Sequence, residues 1–135
     1  MAKDSKRFKR GMKLMTSMGR KNNMLIQKEM FPDLYRMSVE HLFGDVWTRP
    51  YLSIRDRELI TIATNMAMGR PASNIPHFRS ALHIGMPKEE ILELIMQVGM
   101  YAGWGTMGYA LEQFKKVLEE RAEAEQGKTK SKKKK

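Results

Sequence analysis

The sequence has 135 residues, no cysteine and a formal net charge of +10. That length suits one domain with a core of its own, and the missing thiols exclude cysteine nucleophiles, redox dithiols, iron–sulfur clusters and thiolate zinc sites. The charge is confined to the ends, with +7 over residues 1–22 and +6 over 127–135, against −3 over 23–126, so nucleic acid is not expected as a partner beyond weak binding by the basic ends.

Apolar spacing and turn residues divide the chain into about six helical segments, with no sustained two-residue alternation, and predict an all-α fold. The first helix, about 5–18, is basic and carries Met12, Met15 and Met18 at helical spacing. A soft-metal reading of that trio lacks a neighbouring His or Cys, and methionine at this spacing is ordinary core filler. A second helix is expected over 23–43, closing at Gly44, followed by the loop DVWTRPYL. Ser53 with Asp56 resembles a capping pattern. It opens a helix whose stripe of Leu59, Ile62, Ala63 and Met66 faces the core.

A break at 69–73 precedes the helix of NIPHFRSALHIGM, where Pro76 is tolerable in the first turn. Pro87 starts the next helix, acidic in its first turn, with Ile91, Ile95, Val98 and Ala102 on one face. Gly103 and Gly105 break it, and a last helix over 107–123 carries Leu111, Phe114 and Leu118 on one side. The single all-α domain is expected to span 1–126, with a disordered Lys-rich tail over 127–135. No apolar run approaches the roughly 20 residues that cross a bilayer, and MAKDSKRFKR is no secretory signal, so a soluble cytoplasmic protein is expected, without membrane contact.

Two histidines stand six apart in NIPHFRSALHIGM. Ser73, His77 and Ala81 share a helix face, whereas Arg79 and His83 form an i,i+4 pair on another. One metal or one substrate is thus poorly served by both, and the spacing does not match known zinc signatures. His77 reads either as a satisfied edge-of-core residue or as a proton carrier, and His83 as a packing or interface residue. Glu58 and Asn65, seven apart, share a face beside the apolar stripe. If that face is buried, the carboxylate needs a His or Arg partner; if not, Glu58 is a solvated member of the run RDRE.

Together, LSIRDRELITIATNMAMGRP and HFRSALHIGMPKEEILELIMQVGMYAG resemble the carboxymuconolactone decarboxylase family. The similarity runs over about 7–118, includes RFKRGMKLM, and has in FGDVWTRPYLS a stretch like the FxxGxVWxRPxL of the γ-carboxymuconolactone decarboxylases. In the related alkyl hydroperoxidase D branch, Glu, Cys, Cys and His follow a fixed spacing that here falls on Glu58, Arg70, Ser73 and His77. With Arg70 and Ser73 in place of both cysteines, thiol peroxidase chemistry is excluded. The decarboxylase branch often has an acidic residue at Ser73, Asn at His83 and Pro at Gly105.

The resemblance implies an all-α homo-oligomer, trimeric or hexameric, with active sites at subunit contacts. It implies a carboxy-lyase of aromatic catabolism that acts on a small acidic substrate, a 4-carboxymuconolactone-type lactone, with no cofactor and no metal. On that reading His77 donates the proton, with Glu58 orienting it. Arg79, Arg70 and Arg49 grip carboxylates. Ser73 and His83 are further substrate contacts, and Trp47 and Trp104 form apolar walls, with packing as the alternative for each tryptophan. Isomerisation, lactone hydrolysis or cyclisation on the same shell, or a non-catalytic oligomer that binds small acids, are the other readings.

Overall fold

Ser5 starts the first helix as a cap, its Oγ accepting the Phe8 N–H at 3.0 Å, which satisfies one of the four donors that a helix start leaves without an intrahelical partner. In the computed structural model, which describes residues 4–132, this helix is α1 (Lys6–Ser17). There follow α2 (Leu25–Met30), α3 (Pro32–Met37), a π-helix (Ser38–Val46), α4 (Ile54–Ala67), a short 3-10 turn (Pro71–Asn74), α5 (Ile75–His83), α6 (Lys88–Ala102) and α7 (Trp104–Lys132). The fold is all-α, and the described residues contain no strand. None of their helices is long and apolar enough to cross a membrane. Two compact units arise, one from Met1–Ile60 with Ser80–Met86, the other from Thr61–Arg79 with Pro87–Lys135. The boundaries fall inside α4 and α5, so each of these helices serves both.

The first unit is organised by α1 against the π-helix. Met15 and Met18 are fully buried with Val39, and Phe43, Tyr35 and Trp47 complete the cluster. The methionines are thus core filler, and the Tyr35 hydroxyl donates to the Met12 sulfur at 3.4 Å. The helix expected over 23–43 is divided instead. Pro32 disfavours helical geometry at the preceding Phe31, which takes φ −144° and ψ 77° and separates α2 from α3. Gly44 does not stop the helix either, because the π-helix runs on to Val46. Its missing Cβ serves packing: one built there would lie 2.6 Å from the Arg7 carbonyl oxygen. Gly11, on the facing side, is equally tight, since its Cβ would overlap the Val39 carbonyl oxygen.

Around this contact the basic N-terminal charge is matched by acids. Asp45 accepts from Arg7 Nε at 2.9 Å and from Arg10 Nη2 at 2.7 Å. Glu40 accepts from the Ser5 hydroxyl at 2.6 Å and pairs with Arg36 at 3.3 Å. Hydrogen bonding from Arg7, with the charges of Arg7 and Arg10, holds Asp45 below its ordinary value, and the Ser5 hydroxyl followed by Arg36 does the same for Glu40. A carboxylate depressed in the folded state adds stability that is present above its unfolded pKa and lost as pH falls through the folded one. Acidification below about pH 4 should therefore lower the melting temperature, and Asp45→Asn should flatten that dependence in thermal melts across pH 2–6.

In the second unit Ile62 and Met66 of α4, Phe78 of α5, Ile91 and Ile95 of α6, and Ala110, Phe114 and Val117 of α7 are buried. Phe78 and Phe114 meet at 5.0 Å between ring centres. On α6 the expected stripe holds at Ile91 and Ile95, then continues through buried Gly99 while Ala102 is exposed. On α7 the buried face is turned by about one residue from the expected one. Small Ala110 lies inside and Leu111 is 45% exposed, because close helix approach favours the small side chain. Gly103 alone makes the break, at φ 113° and ψ 147°, a conformation that only glycine adopts readily, whereas Gly105 lies within α7. The Lys-rich stretch expected to be disordered from 127 continues α7 to Lys132, helical but exposed, and 133–135 lie outside the described residues.

Candidate active site

Of the sequence-predicted residues, Glu58, Arg49, Trp47 and His83 belong to the first unit, and His77, Ser73, Arg70, Arg79 and Trp104 to the second. Ser53 caps α4 as expected, its Oγ accepting the Asp56 N–H at 3.0 Å. That fixes the first turns of α4 and carries Glu58 into the interior, where it is 0% exposed. Its carboxylate pairs with Arg20 at 3.8 Å, so the partnered, buried reading of Glu58 holds and the solvated one does not. Arg57 donates to the Arg49 carbonyl at 3.1 Å, tying the preceding loop to α4. The Arg49 side chain itself is exposed.

Trp47 is 6% exposed and leans on Phe43 at 6.0 Å. It is part of the core of its unit, not an open wall. His83, in the last turn of α5, lays its ring over Gly19: a Cβ there would be 2.8 Å from the imidazole Cγ. The packing alternative therefore describes His83 well.

In the second unit the approach to α5 is fixed by a pair of asparagines. Asn65 donates to the Asn74 side-chain oxygen at 3.1 Å, and buried Asn74 donates to the Ile62 carbonyl at 3.2 Å. With the Arg70 N–H on the Asn65 carbonyl at 2.8 Å, these bonds pin the 3-10 turn that launches α5. Ser73 sits in that turn and not in the helix of His77, so the shared α-helical face predicted for Ser73 is replaced by a tighter link. His77, half-buried, is in the first turn of α5, and Arg70 and Ser73 are exposed. Arg79 grips Glu120 in a fork, Nε to Oε2 at 2.9 Å and Nη2 to Oε1 at 2.9 Å. At half exposure such a pair is worth about 1 kcal/mol or less.

The same unit holds a cavity of about 530 Å³, lined by Met66, Gly69, Ala102, Gly103, Gly105, Thr106, Tyr109 and Ala110. Its volume is in the range that takes a small molecule. The Thr106 hydroxyl donates to the Gly103 carbonyl at 2.5 Å, and Tyr109 offers a phenolic hydroxyl to a ligand. Trp104, 75% exposed, opens α7 beside this rim in sequence. Gly105 is itself a lining residue.

Two residues escaped the sequence reading. Asn74 carried a signal, an Asn directly before a proline-containing first turn, the kind of residue that organises helix starts. Arg20 carried only a faint one. It follows Gly19 at a helix end, but within a basic run it reads as one more solvated cation.

Comparison with known proteins agrees with this architecture. The carboxymuconolactone decarboxylase family model matches residues 32–116. A 4-carboxymuconolactone decarboxylase from Acinetobacter baylyi is 31% identical over 121 residues, covering 87% of this chain and 90% of that relative. The family model matches well over half of the chain and spans both units, and the relative matches nearly from end to end. The chain belongs to the carboxymuconolactone decarboxylase family.

Proposed function

We propose that this chain is a cofactor-independent carboxy-lyase that removes CO2 from a small carboxylated γ-lactone of the 4-carboxymuconolactone type. The near full-length similarity to a relative named for that reaction carries the reading, and the small apolar cavity of the second unit supports a substrate of that size. In the reaction the bond to the departing carboxylate breaks, its electron pair passes through the conjugated system to the lactone carbonyl oxygen, and the resulting dienolate takes a proton on carbon. The lactone is its own electron sink. What the protein supplies is a proton, a grip on the carboxylates and stabilisation of the developing oxyanion. His77 is the proton donor, and Arg70 and Arg79 are the carboxylate grips. Arg70 directly follows the cavity residue Gly69.

Exposed apolar side chains support a homo-oligomer. Leu25, Ile26, Met30 and Phe31 in the first unit, and Met100, Tyr101 and Trp104 in the second, are all more than half exposed, and large apolar side chains left bare in this way suit a subunit contact. Light scattering after gel filtration should report a trimer or hexamer, and a strictly monomeric protein would contradict this part of the proposal.

The direct test is release of CO2 from 4-carboxymuconolactone by purified protein. Absence of turnover across a panel of carboxylated lactones would remove the decarboxylase reading. A different acid–base reaction on a related conjugated acid is the second reading, favoured by Gly105. This residue lines the cavity where the decarboxylase branch often has Pro, so the pocket wall itself departs from the pattern. Isomerised or ring-opened product without CO2 would select it.

A further inference from the structure

The wall of the cavity in the second unit is almost bare of polar side chains. Its lining includes no Lys, Arg, His, Asp or Glu, and Gly69, Gly103 and Gly105 contribute no side chain at all. A Cβ built at any of these glycines would meet nothing within 4 Å. The space is kept open by glycine and backed by apolar groups such as buried Met66, so a carboxylate seated inside it would lose water without gaining a cation. A carboxylated substrate therefore fits with its uncharged ring inward.

Two hydroxyls decide what that ring meets. The Thr106 proton is committed to the Gly103 carbonyl at 2.5 Å, which leaves this hydroxyl only as an acceptor toward a ligand. Tyr109 differs. Among the described residues its hydroxyl has no hydrogen-bond partner, so it holds the side-chain proton that the lining can give to a ligand acceptor. Tyr109 follows Gly105 by one turn of α7, and helical side chains lean toward the preceding turn. Its ring is thus carried toward the space that Gly105 leaves open.

We propose that Tyr109 is a substrate contact of this cavity, its phenolic O–H donating to the ring carbonyl oxygen of a bound lactone while the carboxylates stay outside. That the ring is a lactone rests on the decarboxylase reading above. In that reaction the same carbonyl oxygen receives the electron pair left by CO2, so the hydrogen bond strengthens as the oxygen becomes an oxyanion. The phenol keeps its proton throughout. Tyr109 is 60% exposed and water weakens the effect, so its hydroxyl should contribute about tenfold to kcat, below the roughly hundredfold or more of donors in water-excluded sites.

Binding tests the contact without turnover. γ-Carboxy-γ-butyrolactone is saturated and has no conjugated path for decarboxylation, and tetrahydrofuroate is the same ring and carboxylate without the carbonyl. Titrations followed by NMR should show the lactone bound roughly three- to tenfold more tightly than the ether by the native protein, and the two bound equally by Tyr109→Phe. That substitution removes only a hydroxyl at an exposed position, so the melting temperature should not change. Gly105→Leu fills the open space and should abolish binding of both. No lactone binding to the native protein, equal binding of lactone and ether, a preference that survives Tyr109→Phe, or binding that survives Gly105→Leu overturns the proposal.

Turnover of 4-carboxymuconolactone is read separately. Tyr109→Phe should lower kcat about tenfold and raise KM by about the factor that the lactone loses in binding, and native kcat in this variant overturns the proposal. If the native protein leaves 4-carboxymuconolactone unchanged, the decarboxylase reading fails by itself. A lactone preference that is lost in Tyr109→Phe would then still support the carbonyl contact.

Discussion

Replacing His77 with alanine is expected to lower kcat on 4-carboxymuconolactone by about two to four orders of magnitude, the range that a positioned proton donor contributes. The melting temperature should shift by only about 2–4 °C. The asymmetry follows from where the residue sits. His77 is half-buried in the first turn of α5, and its helix is anchored by other residues: Phe78 against Phe114 in the core, and Asn74 beneath the helix start. Alanine is also the better helix former. His77→Gln keeps bulk and hydrogen-bonding capacity but cannot carry the proton, so it should be as inactive as the alanine variant. Native kcat in either variant removes His77 from the mechanism, and a large loss of stability in both would recast it as a structural residue.

Gly11→Ala is expected to destabilise the protein by about 3 kcal/mol or more, at the upper end of overpacking effects, and to lower the melting temperature by roughly 10 °C. The added methyl would overlap the Val39 carbonyl oxygen while lying 3.0 Å from the Val39 Cγ1 and 3.1 Å from the Gly44 nitrogen. Two of these three neighbours are backbone, so no side chain can turn away to relieve the clash. Only separation of α1 from the π-helix would make room, and that would open the cluster of Met15, Met18, Val39 and Phe43. Gly108→Ala is the matched control. It lies within α7 with open space around it, so it should gain about 0.5–1 kcal/mol from helix propensity. Equal melting temperatures for the two variants would contradict the close approach described here.

Much of the secondary structure, and the local frame that places the candidate residues, was legible in the chain because its signals are local. The Ser53 cap, the proline starts at Pro76 and Pro87 and the break at Gly103 each act within one helical turn, on groups only a few residues away. The helical spacing of apolar residues made the all-α class readable in the same way. The family was legible too, through stretches such as FGDVWTRPYLS. The division of 23–43 at Phe31 was equally local, since Pro32 carries the signal, and was simply outweighed by apolar periodicity.

What only the tertiary structure decided were matters of long-range contact. Gly44 has the character of a helix stop, yet the need for α1 to approach the π-helix makes it a packing residue inside one. Leu111 looks like core and Ala110 like filler, but closeness of helices reverses their places. Arg79 is found on Glu120, forty-one positions along the chain, a partner that no local pattern announces. Arg20 is the clearest case. Local sequence supplies its Gly19 turn, but burial against Phe43 and Glu58 depends on segments more than twenty residues away, and a basic run gives no sign of which cation will be drawn inside. The sequence alone determined the fold class, the family and the local helix boundaries, because caps, prolines and periodicity are short-range. The tertiary structure decided which charges became buried partners, because burial is set by the packing of segments that are distant in the chain.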